Sequence, residues 1–78
     1  MNAAELREFL NRDPFEPFRI LLTSGDRYDI IDPISVAVGK NRAFAFFTDR
    51  DAWTFFAYLH VAAVEGLGNG PSRRSRGN

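Results

Sequence analysis

WTFFAYLHVAAVE, residues 53–65, is almost wholly apolar, and its reading decides the fold. As one element it is a buried helix, capped by Thr48 or Asp49 and ended at Gly66. As two elements it is a pair of strands, 53–58 and 61–65, with a corner at Leu59-His60. Its alanines leave the helix open. Trp, Thr, Phe, Tyr and Val favour strands, and so does the balance of the segment.

Working toward the N-terminus, AFAFF (residues 43–47) begins a strand expected to run to Thr48, and Thr48-Asp49-Arg50-Asp51 joins it to Trp53. Gly39-Lys40-Asn41 is a turn, and Ile34, Val36 and Val38 alternate before it. Asp32-Pro33 interrupts the chain. Before that break, Ser24-Gly25 reads as a tight turn between two runs. Phe18, Ile20 and Leu22 share one side of the first run. Tyr28 and Ile30 point inward on the second, with Arg27 and Asp29 outward. This is a β-hairpin signal. Pro14 and Pro17 separate the hairpin from a helix over about 3–12. Asn2 and Glu5 are spaced as a capping box, and Leu6, Phe9 and Leu10 form one apolar stripe. The expected architecture is mainly β: a small antiparallel barrel of five or six strands preceded by one short N-terminal α-helix.

The chain has 78 residues, enough for one small core. It has no Cys, which excludes disulfides and thiolate metal sites and suits a reducing, cytoplasmic setting. No basic-then-apolar leader is expected at the N-terminus, and no apolar run reaches the ~18 residues of a membrane span. Residues 1–65, taken as the single domain, hold seven Lys and Arg against ten Asp and Glu, a net −3. Residues 66–78, GLGNGPSRRSRGN, carry three Arg and no acid, and are expected to be a disordered basic tail.

The inventory for catalysis is thin: one His, one Lys and no Cys. A nucleophile needs a base, and the base needs something to orient it. His60 lies in an apolar segment without an identifiable acid partner, and a hydrogen-bonded corner residue is its simplest role. Asp26, Asp29 and Asp32 are three apart, so on a strand successive members face opposite sides and hold no metal. Asp49 and Asp51 lack the further oxygens of a calcium loop. Gly66, Gly68 and Gly70 open no helix and form no phosphate loop. No enzyme activity, cofactor or small-molecule substrate is expected.

Aromatic content is the strongest signal. Phe44 and Phe46 take one side of their strand and Phe47 the other. Trp53 and Phe55 likewise oppose Phe56 and Tyr58. Strands apolar on both faces need cover on both. Either the chain supplies it, or a second copy or protein partner does. Phe47, Trp53, Phe56 and Tyr58 are the expected partner interface, and a homo-oligomer is the expected state.

FRILLTSGDRY (residues 18–28) and Tyr58-Leu59-His60-Val61 resemble the first hairpin and the Tyr-Lys-His-Ala segment of the bacterial Sm-like RNA chaperone family, Hfq. Leu59 stands where that family has Lys. The resemblance implies an SH3/Sm-like barrel and RNA contact at His60. Lys40, Arg42, Arg73, Arg74 and Arg76 are the other candidate phosphate contacts. Three tail contacts would give a salt slope of only about −2.7 on duplex DNA. Residues 5–65 are also similar to a set of short bacterial proteins of no assigned activity. They share a short helix, Pro-Phe-x-Pro-Phe, a Gly hairpin, a Pro break and a Leu-His-Val end closing on Glu.

Overall fold

The computed structural model describes residues 1–68. The chain is mainly β, with one N-terminal helix and two three-stranded antiparallel sheets. Helix α1 (Ala3–Leu10) starts at Asn2, whose side chain accepts from Glu5 N at 2.8 Å. Glu5 Oε1 accepts from Asn2 N at 3.1 Å, completing the capping box. Leu6 and Leu10 bury their side chains and Phe9 is half-buried, its ring 5.2 Å from that of Phe18. An eight-residue helix is marginal alone, so this packing is what holds it.

β1 (Phe18–Leu22) and β2 (Arg27–Ile30) form the hairpin. Gly25 turns it at φ 97°, a left-handed conformation that costs other residues dearly. Phe18, Ile20 and Ile30 are buried, and Arg19 lies on the other face. There its guanidinium makes a bidentate pair with Asp29, at 2.6 and 3.2 Å. That hydrogen bond, then the charge itself, raises the Arg19 pKa above its ordinary value. β6 (Val61–Gly66) flanks the other side of β1, giving the order β2-β1-β6.

A 3₁₀ turn at Pro33–Ser35 carries the chain to the second sheet. Asp32 Oδ1 accepts from Ile34 N, and Ser35 Oγ donates to the Asp32 carbonyl. Ile34 was expected to alternate with Val36 and Val38, but it lies in this turn and is 87% exposed. Pro33 sets the helical φ, and the Asp32 cap secures the turn, so the strand starts later. It starts as β3 (Val36–Val38), followed by β4 (Arg42–Phe47) and β5 (Ala52–Ala57), in that spatial order.

Residues 53–65 form two strands separated by a second 3₁₀ turn, Tyr58–His60. Tyr58 N donates to the Asn41 carbonyl at 3.1 Å and Tyr58 Oη to the Gly39 carbonyl at 2.7 Å. Gly39 itself has no room for a side chain, since a Cβ would stand 2.6 Å from the Arg42 carbonyl oxygen. β6 runs to Gly66, and Leu67 N still donates to the Pro17 carbonyl. Ordered structure therefore passes the expected boundary at residue 65, while the tail from residue 69 lies outside the described residues.

Three of the four expected interface residues are corrected by the core. Phe47, Phe56 and Tyr58 are 8%, 3% and 4% exposed and pack inside the single chain. Ala43 and Ala45 beside them are fully buried and small, which opens the space these rings fill. Tyr28 stacks on Phe47 and Phe56 at 5.6 and 6.3 Å between centroids.

Burial raises the Tyr58 phenol above its ordinary pKa, against a smaller opposing effect of Arg7. The folded state thus favours the neutral phenol. Its contribution is complete below the unfolded pKa of about 10 and is lost as pH rises through the folded value. Tyr58→Phe is expected to cost about 1 kcal/mol at neutral pH. The difference between wild type and variant should shrink above about pH 10 in urea unfolding across an alkaline series.

Candidate functional site

Strand alternation that buries Phe47 and Phe56 turns their neighbours outward. Phe44 and Phe46 on β4 face away from the core, with Trp53 and Phe55 opposite them on β5. In the pairing register Phe44 meets Phe55 and Phe46 meets Trp53. Phe44 also stacks on Trp53 diagonally, centroids 5.5 Å apart and planes 24° apart. Phe55 sits edge-on to both, at 5.3 Å from Phe44 and 5.8 Å from Trp53. Such pairs contribute about 0.5–1.5 kcal/mol each beyond their burial. The cluster is therefore an ordered surface.

It is also wet. Trp53 is 60% and Phe55 56% exposed. Ile34 adds to the same side, where a shallow groove of about 330 Å³ is lined by Ile34, Ala37, Phe44 and Phe46 among others. Of the four residues expected at a partner interface, Trp53 alone is on this surface. Phe44, Phe46 and Phe55 belong to it instead. The signal for them was the period-two alternation: the face shared with Trp53 excludes every ring that packs with Phe56.

Candidate phosphate contacts fall elsewhere. Lys40 and Arg42 are exposed on the Gly39–Arg42 turn, and His60 is exposed on the Tyr58–His60 corner. The Tyr58–Asn41 hydrogen bond joins these segments, bringing the three residues to one end of the domain. His60 anchors this corner through its backbone, whose carbonyl accepts from Thr23 N at 2.8 Å. Arg73, Arg74 and Arg76 lie outside the described residues.

A second, charged cleft of about 250 Å³ lies between β2 and the β4–β5 loop. Arg19, Arg27 and Arg50 balance Asp29, Asp32 and Asp49 there. Arg50 covers the Phe47 ring at 4.4 Å, so part of this charge shields the core. Its two hydroxyl side chains are Ser35, which donates to the Asp32 carbonyl, and Thr48. Among the described residues no three His, Asp or Glu side chains converge as metal ligands. Nor is any described helix long and apolar enough to cross a membrane.

Comparison with protein-family models, curated proteins and solved structures finds no match to the chain. The likeness to the Sm-like RNA chaperones rests on the residues 18–28 and 58–61 alone.

Adjacent rings on opposite faces should behave differently. Phe56→Ala is expected to cost about 3–5 kcal/mol, because it empties the core. Phe55→Ala should cost about 1–3 kcal/mol, mainly its two lost aromatic pairs. Urea unfolding of the two variants checks the contrast.

Proposed function

We propose that this chain is a non-catalytic small-barrel module that acts by binding protein, in the first place another copy of itself. The observation that carries this reading is the outward cluster of Phe44, Phe46, Trp53 and Phe55, stacked yet more than half exposed at its two β5 members. Fully burying one such ring is worth about 1.5–3 kcal/mol, so covering the cluster is a ready source of affinity. Contiguous apolar patches on monomers of this size are characteristic of interaction sites. The finer fold reading, an SH3/Sm-like barrel, is supported by the chain order. A short helix precedes the strands, a 3₁₀ corner precedes the last one, and that last strand returns beside β1.

Absence of catalysis is part of the same proposal. The one His is exposed at a corner, and of the cleft's acids Asp29 and Asp49 lie against Arg19 and Arg50 while Asp32 caps Ile34 N.

A second reading, RNA binding, is favoured by one observation. Lys40, Arg42 and His60 share an end of the domain, and Arg42 stands on the same face of β4 as Phe44 and Phe46. Exposed aromatics beside a cation suit base stacking.

Light scattering on the purified chain should show mass rising above that of the monomer at tens of micromolar. Trp53→Ser with Phe55→Ser should return it to monomer while far-UV circular dichroism is retained. A wild type that stays monomeric throughout overturns self-association. For the second reading, oligo-U affinity at low salt should fall when Lys40, Arg42 and His60 are all replaced by Ala. Unchanged affinity removes RNA from consideration.

A further inference from the structure

The backbone of β5 is as open as its side chains. Hydrogen bonding in an antiparallel pair alternates along each strand. The Tyr58–Asn41 bond sets the phase between β4 and β5, so Ala52, Thr54 and Phe56 are the residues that bond to β4. Trp53, Phe55 and Ala57 therefore aim their N–H and C=O groups away from β4. No described strand lies on that side. The Phe55 carbonyl meets the Thr54 hydroxyl at 3.2 Å, which leaves it a second lone pair.

The other edges are each protected in a familiar way. β2 places Arg27 and Asp29 along its free side. β3 is three residues long. β6 has α1 beside it, with Met1, Glu5, Glu8 and Phe9 facing Val61–Val64 across a groove. β5, AWTFFA, has six residues, no charge and no proline, and its pairing with β4 is free of bulges. It is the one described edge built as a template.

We propose that β5 pairs antiparallel with β5 of a second copy, about a two-fold axis through Phe55. The proposal rests on the self-association reading and narrows its contact to the β5 edge, which engages the cluster only at Trp53 and Phe55. The strand is its own complement in this register. Phe55 faces Phe55 of the second copy, and Trp53 faces Ala57, the largest side chain against one of the smallest. Each of these pairs exchanges both of its backbone bonds, so every outward group on the edge is satisfied. A shift of two residues leaves one residue of each strand unpaired. With no charge on β5, like strands meet without repulsion. A two-fold perpendicular to the sheet keeps both outer faces on one side, so the two aromatic clusters become continuous through Phe55. An edge contact of this length falls below the ~800 Å² per partner of standard interfaces, which predicts a reversible dimer.

Ala57→Pro tests the backbone contact without touching the rings. Ala57 has φ −87° and an N–H that points off β4, so proline near −65° is accommodated by the chain's own ladder. Association measured by sedimentation equilibrium should weaken by about tenfold or more, equivalent to about 1.4 kcal/mol or more. Circular dichroism and the unfolding midpoint should be retained. Phe46→Thr, on the same face but off the edge, should leave the dimer intact.

Phe55→Cys gives a second, independent readout in a chain with no native Cys. A hydrogen-bonded antiparallel pair holds its Cα atoms about 5.5 Å apart, within disulfide range. Mild oxidation should give a covalent dimer, whereas Leu59→Cys, more exposed but off the register centre, should not.

Association that survives Ala57→Pro, without a Phe55→Cys cross-link, overturns edge pairing and leaves self-association through the aromatic face standing. Species larger than a dimer, cross-linked only when Phe55→Cys is combined with Val64→Cys, also overturn it in favour of a head-to-tail β5–β6 contact. A wild type that is monomeric at every concentration overturns this proposal and the reading beneath it.

Discussion

The fold depends on the anchoring of Tyr58. This residue sits where the chain leaves one sheet for the other, and it is held at two points. Its amide bonds Asn41 and its hydroxyl bonds Gly39, both in the turn between β3 and β4. The ring between those bonds is buried against Phe56. A corner fixed in this way determines where β6 starts, and hence how β6 lies against β1. The turn that receives Tyr58 is fixed in its own right, because Gly39 approaches the Arg42 carbonyl too closely for any other residue. Two local constraints thus combine to join sheets that no continuous strand connects.

The division of aromatic rings follows from the same geometry. With Tyr58 inward, alternation turns Phe56 inward and Phe55 and Trp53 outward. β4 matches it, placing Phe47 between the sheets and Phe44 and Phe46 outside. Small residues at Ala43 and Ala45 make the inner assignment possible, since larger ones would overfill the space. The outer rings receive no comparable cover from the described chain. They stabilise one another by stacking, which holds them in place without taking them out of water.

Much of this was legible in the sequence because it rests on local chemistry. The Asn2–Glu5 capping box and the Ser24-Gly25 turn each depend on residues close together in the chain. The composition of residues 53–65 weighed strand against helix correctly, because Trp, Thr, Phe and Tyr crowd a helix more than a pleated surface. Ile34 was misplaced because the Asp32 cap competes with strand extension, and a side-chain hydrogen bond leaves no mark on hydrophobic alternation. The interface residues were misassigned for a different reason. Alternation separates two faces but does not say which faces the core. Phe47, Phe56 and Tyr58 are told from Trp53 and Phe55 only by what packs across from them: Tyr28, Ile30 and the helix. Those are long-range contacts, invisible to a reading of one strand at a time.

One consequence follows from where the single indole lies. Trp53 is the chain's sole tryptophan, and it stands in the exposed cluster instead of the core. Its emission therefore reports on the surface and is a poor gauge of the interior. Loss of the core would alter it modestly, whereas exclusion of water from the outer sheet would shift it toward the blue. The protein carries a built-in optical probe at the place where contact with another molecule would be felt first.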